Sequence, residues 1–160
     1  PGLISYKTPP GGGTTDYAVD IYHHAIQHKT YECFLKPDTL LPMMYMPDCI
    51  QATLDLMAAD SAKLIHRAGY NLAGLSFSAA ELAAEIQKHI PEFVVTYEPD
   101  PVRQDIADSW PQTIDDSAAR EEWERDVHAM IRERTGERWF FCPGRIGVRC
   151  VHSRFLFRHR

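Results

Sequence analysis

The chain has 160 residues, enough to bury one sizeable core and too few for two comfortable domains. Its composition, 44% apolar, 24% charged and 11% aromatic, excludes disordered, collagenous and coiled-coil classes. No run approaches the roughly 18 uninterrupted apolar residues that cross a bilayer, and no basic stretch leads into an apolar one as a secretory leader requires. The expectation is a protein that is not secreted and has no membrane partner. Its first residue is Pro1 rather than Met, which predicts a true start further upstream.

Charge is divided unevenly. Residues 1–124 hold eight Lys and Arg against nineteen Asp and Glu, a net of −11, while residues 125–160 hold nine Arg, no Lys and three acids, a net of +6. Basic tails bind nucleic acid or anionic membrane. Arg without Lys is also the product of GC-rich DNA translated out of frame. Cys33, Cys49, Cys142 and Cys150 include no Cys-x-x-Cys pair and read as free thiols of a reducing compartment. Cys142, Cys150 and His152 match no standard zinc spacing.

In chain order, residues 1–5 read as the end of a strand. Thr8-Pro9-Pro10-Gly11-Gly12-Gly13-Thr14-Thr15-Asp16 must turn. A helix follows with Val19, Tyr22, Ala25 and Ile26 on one face and Thr15 or Asp16 as N-cap. Residues 31–35 suit a strand closed by Lys36-Pro37-Asp38. Residues 40–46 suit another, which Pro42 assigns to an edge or a bulge. Asp48 caps the next helix, with Ile50, Thr53, Leu54 and Met57 as its inner face, and residues 68–72 form the following candidate strand. Ser78-Ala79-Ala80-Glu81 is a capping box that opens a helix through Leu82, Ala83, Ile86 and Ile90, stopped by Pro91. Residues 93–97 suit a strand, residues 103–111 an irregular loop, and Asp115-Asp116-Ser117 cap a helix over residues 118–123. Beyond Trp123 the pattern decays: residues 124–137 suit a helix, and residues 139–160 have no clean period. Strands alternating with capped helices, without an internal repeat, give an α/β chain.

Residues 11–16 carry the strongest chemical signal. Three glycines let the backbone approach a ligand and lead into a helix N-terminus, where free N–H groups and the dipole favour an anion. Thr14 and Thr15 add hydroxyls, and Asp16 adds a carboxylate able to meet an ammonium. That set suits an amino acid zwitterion better than a phosphate, which would want Lys or Arg. The alternative is a loop whose Thr and Asp merely cap a helix. No Gly-x-Gly-x-x-Gly or Gly-x-x-Gly-x-x-Gly turn follows a strand, and no Tyr is followed by Lys four residues on. His24 and His28 are helix neighbours with no evident third metal ligand and read as an exposed polar face. Residues 103–111, dense in polar and aromatic groups, either line a pocket or buttress an edge.

Several runs occur in a telling order: Pro1-Gly2-Leu3-Ile4-Ser5, Pro10-Gly11-Gly12-Gly13-Thr14-Thr15-Asp16-Tyr17-Ala18-Val19, Leu41-Pro42-Met43-Met44-Tyr45-Met46-Pro47-Asp48-Cys49, Tyr70-Asn71, Ser76-Phe77 and Ile106-Ala107-Asp108-Ser109-Trp110-Pro111. With Asp115-Asp116-Ser117 and Ala119-Arg120, they closely resemble the C-terminal half of the L-threonine 3-dehydrogenases of the short-chain dehydrogenase type, relatives of the sugar-nucleotide epimerases. The resemblance spans roughly residues 1–123, and its Gly-Gly-Gly-Thr-Thr-Asp-Tyr and Leu-Pro-Met-Met-Tyr runs are specific.

The resemblance implies an extended short-chain dehydrogenase, represented here by its last Rossmann strands and its small α/β substrate lobe. It implies NAD as cofactor and oxidation of the L-threonine β-hydroxyl to 2-amino-3-ketobutyrate, with a Tyr/Lys pair as base and support. In the family that pair and the phosphate loop precede the segment that begins this chain. The catalytic pair is therefore expected upstream of Pro1, with no catalytic residue in the chain and no turnover from it alone. The resemblance puts Leu3 at the nicotinamide end of the cofactor. It puts Gly13 and Thr15, with Thr14 and Asp16, on the amino acid, and Trp110 over the pocket. It further implies a homodimer in the full-length enzyme, no nucleic-acid or membrane partner, and a mitochondrial location in a eukaryote or a cytoplasmic one otherwise. The family continues Ala-Arg-x-x-Trp with Gly-Trp and a last helix, whereas here Glu124-Arg125 follow Trp123. Residues 124–160 are accordingly read as a divergent Arg-rich tail. The alternative to an enzyme portion is a non-catalytic relic, or an interaction module using that tail.

Overall fold

Short apolar runs and locally capped helices alternate along a computed structural model that describes residues 1–5 and 9–123. The tail, its candidate helix and the Cys142, Cys150 and His152 group lie outside the described residues. The elements are β1 (Gly2–Ile4), a 3₁₀ turn (Thr14–Asp16), α1 (Tyr17–Gln27), β2 (Thr30–Cys33), β3 (Leu40–Tyr45), α2 (Met46–Ala58), β4 (Leu75–Ser78), α3 (Ala79–Gln87), β5 (Val94–Tyr97), α4 (Pro101–Asp108) and α5 (Ser117–Trp123). The α/β expectation holds.

The strands form two small sheets. In one, β3 is central, parallel to β1 and antiparallel to β4; in the other, β2 and β5 run parallel. Pro42, expected at an edge, therefore lies in a central strand. It is tolerated because β1 pairs only from Met43 onward, so that flank of Pro42 is locally an edge.

One core joins both sheets. Tyr17, Ile21, Leu35, Leu41, Leu82 and Phe93 are among its fully buried side chains, contributed by α1, β3, α3 and the segments next to β2 and β5. The capping box on α3 is present as expected: Ser78 Oγ accepts from Glu81 N at 3.2 Å, and Glu81 Oε2 accepts from Ser78 N at 2.8 Å.

Five expectations change. The strand expected over residues 68–72 is instead β4, where Leu75 and Phe77 alternate with serines and pair with β3. Gly74 makes that approach possible, because a Cβ there would stand 2.2 Å from the carbonyl oxygen of Met43. The loop expected over residues 103–111 is helical to Asp108. Asp100 caps it by accepting from Arg103 N at 2.8 Å, and Pro101 occupies its first position. On α1 the expected Val19 and Ala25 are buried, with Tyr17, Ala18 and Ile21, and Tyr22 packs on the core, but Ile26 is 40% exposed. On α2 the expected inner face points outward: Ile50, Leu54 and Met57 are 53%, 52% and 78% exposed. Asp48 and the small Ala52 are buried instead, and α2 rests against β3. Asp48 lies in the first turn of α2 rather than at its N-cap, which is Tyr45.

Candidate substrate and cofactor site

Residues 11–16 curl into a turn stabilised by their own carboxylate. Asp16 Oδ2 accepts from Gly11 N at 2.7 Å and from Gly13 N at 2.9 Å, while Asp16 N donates to the Gly13 carbonyl at 3.1 Å. Asp16 does precede α1, but its side chain turns back into the glycines instead of capping that helix. Two of the loop N–H groups expected to face an anion are thus already bonded within the loop. Of the three glycines only Gly12 has a positive φ, 95°; a Cβ at Gly13 would come no nearer than 3.6 Å to any neighbour. Gly13 is exposed, and Thr14, Thr15 and Asp16 are half-buried.

Thr15 joins this loop to β1. A Cβ at Gly2 would lie 2.7 Å from Thr15 Cγ2 and 2.6 Å from Met43 Sδ, so Thr15 packs where Gly2 leaves room. Successive strand residues face opposite sides. Gly2 and its register partner Met43 face Thr15, while Leu3 and its partner Met44 border a cleft of about 620 Å³. The start of β1 thus carries the expected cofactor contact on one side and the expected amino acid contacts on the other.

The remaining walls of the cleft come from Cys49, residues 70–72, Pro111 and residues 113–115, with Pro1 at its edge. Its lining is mostly apolar and, among the described residues, includes no Lys or Arg. Those residues fit a flat aromatic ring, such as the nicotinamide of NAD, and among the described residues offer its diphosphate no cation. Tyr70 is the phenol of the cleft. Burial raises its pKa and the carboxylate of Glu122, which accepts from its hydroxyl, raises it further. Asp115, at the rim, is held below the usual carboxylate range by the Ser117 backbone N–H.

Trp110 is placed elsewhere. It borders a second recess of about 210 Å³ with Lys36, Asp38, Thr39 and Asp108, whereas its neighbour Pro111 borders the large cleft. The structure brings Leu3, Gly13, Thr14, Thr15 and Asp16 together around β1 and sets Trp110 beyond α4, which itself touches the Thr14–Asp16 turn. Gln104 fastens that helix: its buried amide accepts from Lys36 N at 2.8 Å and donates to Asp108 Oδ1 at 2.7 Å. Sequence reasoning missed Gln104, Tyr70 as a cleft residue and Glu122. The Asp100-Pro101 start of α4 was the available signal for the first, and nothing local marked the other two. His24 lies tilted against His28, with ring centroids 5.3 Å apart, and is 3.7 Å from Asp20; among the described residues no three metal-capable side chains converge.

No family model matches the chain. Individual proteins do. It is 57% identical over 123 residues to the mitochondrial L-threonine 3-dehydrogenase of Bos taurus, covering 77% of this chain and 33% of that protein. It is 56% identical to an uncharacterised epimerase/dehydratase of Staphylococcus haemolyticus, of which it covers 39%. The chain thus spans little more than a third of the length of these curated relatives. Among solved structures, the holo form of the GalE-like L-threonine dehydrogenase of Cupriavidus necator superposes with a TM-score of 0.75 at 55% identity, over 83% of this chain and 44% of that one. The L-threonine dehydrogenase of Phytophthora infestans gives 0.75 at 48% identity, again over 83% and 44%. The fold is that of the C-terminal portion of a Rossmann-type dehydrogenase, and the chain is a homologue, over part of their length, of L-threonine 3-dehydrogenases and epimerase/dehydratase family proteins.

Proposed function

We propose that residues 1–123 supply the substrate-binding portion of an NAD-dependent L-threonine 3-dehydrogenase. The observation that carries this reading is the pairing of high identity to threonine dehydrogenases with a Gly-Gly-Gly-Thr-Thr-Asp turn packed on β1 beside an apolar cleft. Gly13 and Thr15, with Thr14, offer backbone and hydroxyl groups to the amino acid carboxylate. Asp16 has a double role: Oδ2 shapes the loop, and Oδ1, which has no hydrogen bond among the described residues, meets the ammonium. Leu3 walls the cleft at the ring end of NAD and keeps water from it. Bound NAD supplies the hydride acceptor.

The chain's own residues do not complete the chemistry. It has no Tyr-x-x-x-Lys pair and no glycine-rich phosphate loop, so we assign the base and the diphosphate site to an upstream portion of the enzyme. Trp110 reaches the substrate only if the segment after α4 moves. The full-length enzyme is read as a homodimer, although a metagenome relative is described as monomeric. No described helix is long and apolar enough to cross a membrane. The location follows the same reading, mitochondrial in a eukaryote and cytoplasmic otherwise, with no nucleic-acid partner.

The test is a chimera in which residues 1–123 replace the matching portion of the bovine relative. Threonine-dependent NADH formation by the chimera, with none from the 160-residue chain alone, is expected. A chimera that folds and binds NAD but ignores threonine contradicts the reading.

A further inference from the structure

Residues 59–74, between α2 and β4, contain no helix or strand, yet three of them wall the cleft. What fixes them is one side chain. Glu122 on α5 is 8% exposed, and its carboxylate accepts from Ile65 N at 2.5 Å, from His66 N at 3.1 Å, from His66 Nδ1 and from the Tyr70 hydroxyl. The next residue, Trp123, packs edge-on against the Tyr70 ring, with centroids 5.6 Å apart. The segment has no ladder of its own, so these four bonds replace the backbone partners that a strand would have provided.

We propose that Glu122 is a positioning residue for the cleft: its buried carboxylate gathers Ile65, His66 and Tyr70 and thereby holds residues 70–72 as the cleft wall. That the wall stands beside the cofactor ring rests on the function proposed above; the anchoring itself does not. Glu122 touches neither the cleft interior nor any reacting group, and it acts through Tyr70. An amide at position 122 keeps the shape and loses the charge, which weakens every one of the four bonds.

The chain carries its own reporters. Cys49 borders the cleft and is half-buried, while Cys33 is fully buried in the core. With Cys142→Ser and Cys150→Ser in the full chain, alkylation by iodoacetamide reads the two sites separately. Release of the wall speeds Cys49 alone, whereas global unfolding speeds both thiols. Glu122→Gln is expected to raise the Cys49 rate relative to Cys33 by about tenfold, the scale of a lost charged hydrogen bond. Tyr70→Phe, which keeps the ring on Trp123, should raise it about threefold as a single lost bond, and Glu122→Asp should restore part of the protection. An unchanged ratio in both Glu122→Gln and Tyr70→Phe overturns the proposal. In the chimera, NAD should slow Cys49 alkylation when Glu122 is intact. If NAD gives no protection while the ratio still responds to Glu122, the cofactor reading falls and the anchoring stands; NAD protection with an unresponsive ratio means the reverse.

Discussion

Two parts of the molecule hold themselves together by different physics. Around α1 and α3, apolar side chains find one another: Tyr17, Ile21, Leu82 and Phe93 are all less than 2% exposed. Around α2 and residues 59–74 the apolar residues face outward, with Met57 at 78% and Ile65 at 79%, and order comes from a few polar and steric contacts. Glu122 ties down Ile65, His66 and Tyr70, and Gly74 lets the backbone rest on Met43. The first region is stabilised by area removed from water, which spreads over many residues. The second depends on single contacts, so single substitutions there act on shape. The cleft is built on the second region and the loop over residues 11–16 on the edge of the first.

The largest effect should separate the two. Leu35→Ala, at a fully buried site, is expected to cost about 3 kcal/mol in chemical denaturation. Leu54→Ala, at an exposed one, should cost under about 0.5 kcal/mol. Equal losses would mean that the α2 face is covered in solution and would collapse the contrast.

Next in size is Gly74→Ala. Its Cβ would meet backbone rather than a movable side chain, so β4 must shift from β3 at a cost of about 2 kcal/mol. Thermal unfolding unchanged by this substitution would remove the steric account of the β3–β4 approach.

Acid should weaken the polar region. Burial pushes the Glu122 carboxyl up, but the hydrogen bonds from Tyr70, His66 and Ile65 outweigh it and hold the pKa at about 2. Its folded value lies below the ordinary 4.5, so its contribution is present above pH 4.5 and is lost as pH falls from there toward 2. Glu122→Gln should flatten that part of the stability profile. A profile identical in the variant would show that another carboxylate governs it.

The smallest effect has the opposite sign. The Tyr17 hydroxyl is buried with no hydrogen-bond partner among the described residues, and burial raises its pKa strongly. Tyr17→Phe should stabilise the core by up to about 1 kcal/mol, because it removes a desolvated polar atom. A loss of stability would point to a partner for that hydroxyl.

The same contrast explains what could be read in advance. Features set by neighbouring residues were legible: the Ser78–Glu81 capping box, the turn through Gly11–Gly13, the Leu40–Tyr45 strand and the α/β alternation. The start of α4 at Asp100-Pro101 was equally local, but the polar face of that helix, with only Gln104 and Ala107 buried, hid its period. Periodicity located an apolar stripe on α2 without saying what covers it, so the stripe was wrongly turned inward. A strand was expected over residues 68–72 and not over Leu75–Ser78, because strand pairing depends on Gly74 meeting a distant carbonyl. The turn through residues 11–16 was legible, yet the direction of the Asp16 carboxylate was not. Glu122 acts across more than fifty residues of chain, 57 in the case of Ile65, and no spacing rule reaches that far.

The most direct test of the central claim is the KM for L-threonine in the chimera, measured with Gly13→Ala and Thr15→Val. Gly13 has room for a methyl, so its fold should be unharmed. Both substitutions should raise the KM for threonine about tenfold or more and leave that for NAD within about twofold. If the threonine KM is unchanged in both folded variants, the Gly-Gly-Gly-Thr-Thr-Asp turn is a helix-capping loop and does not hold the substrate.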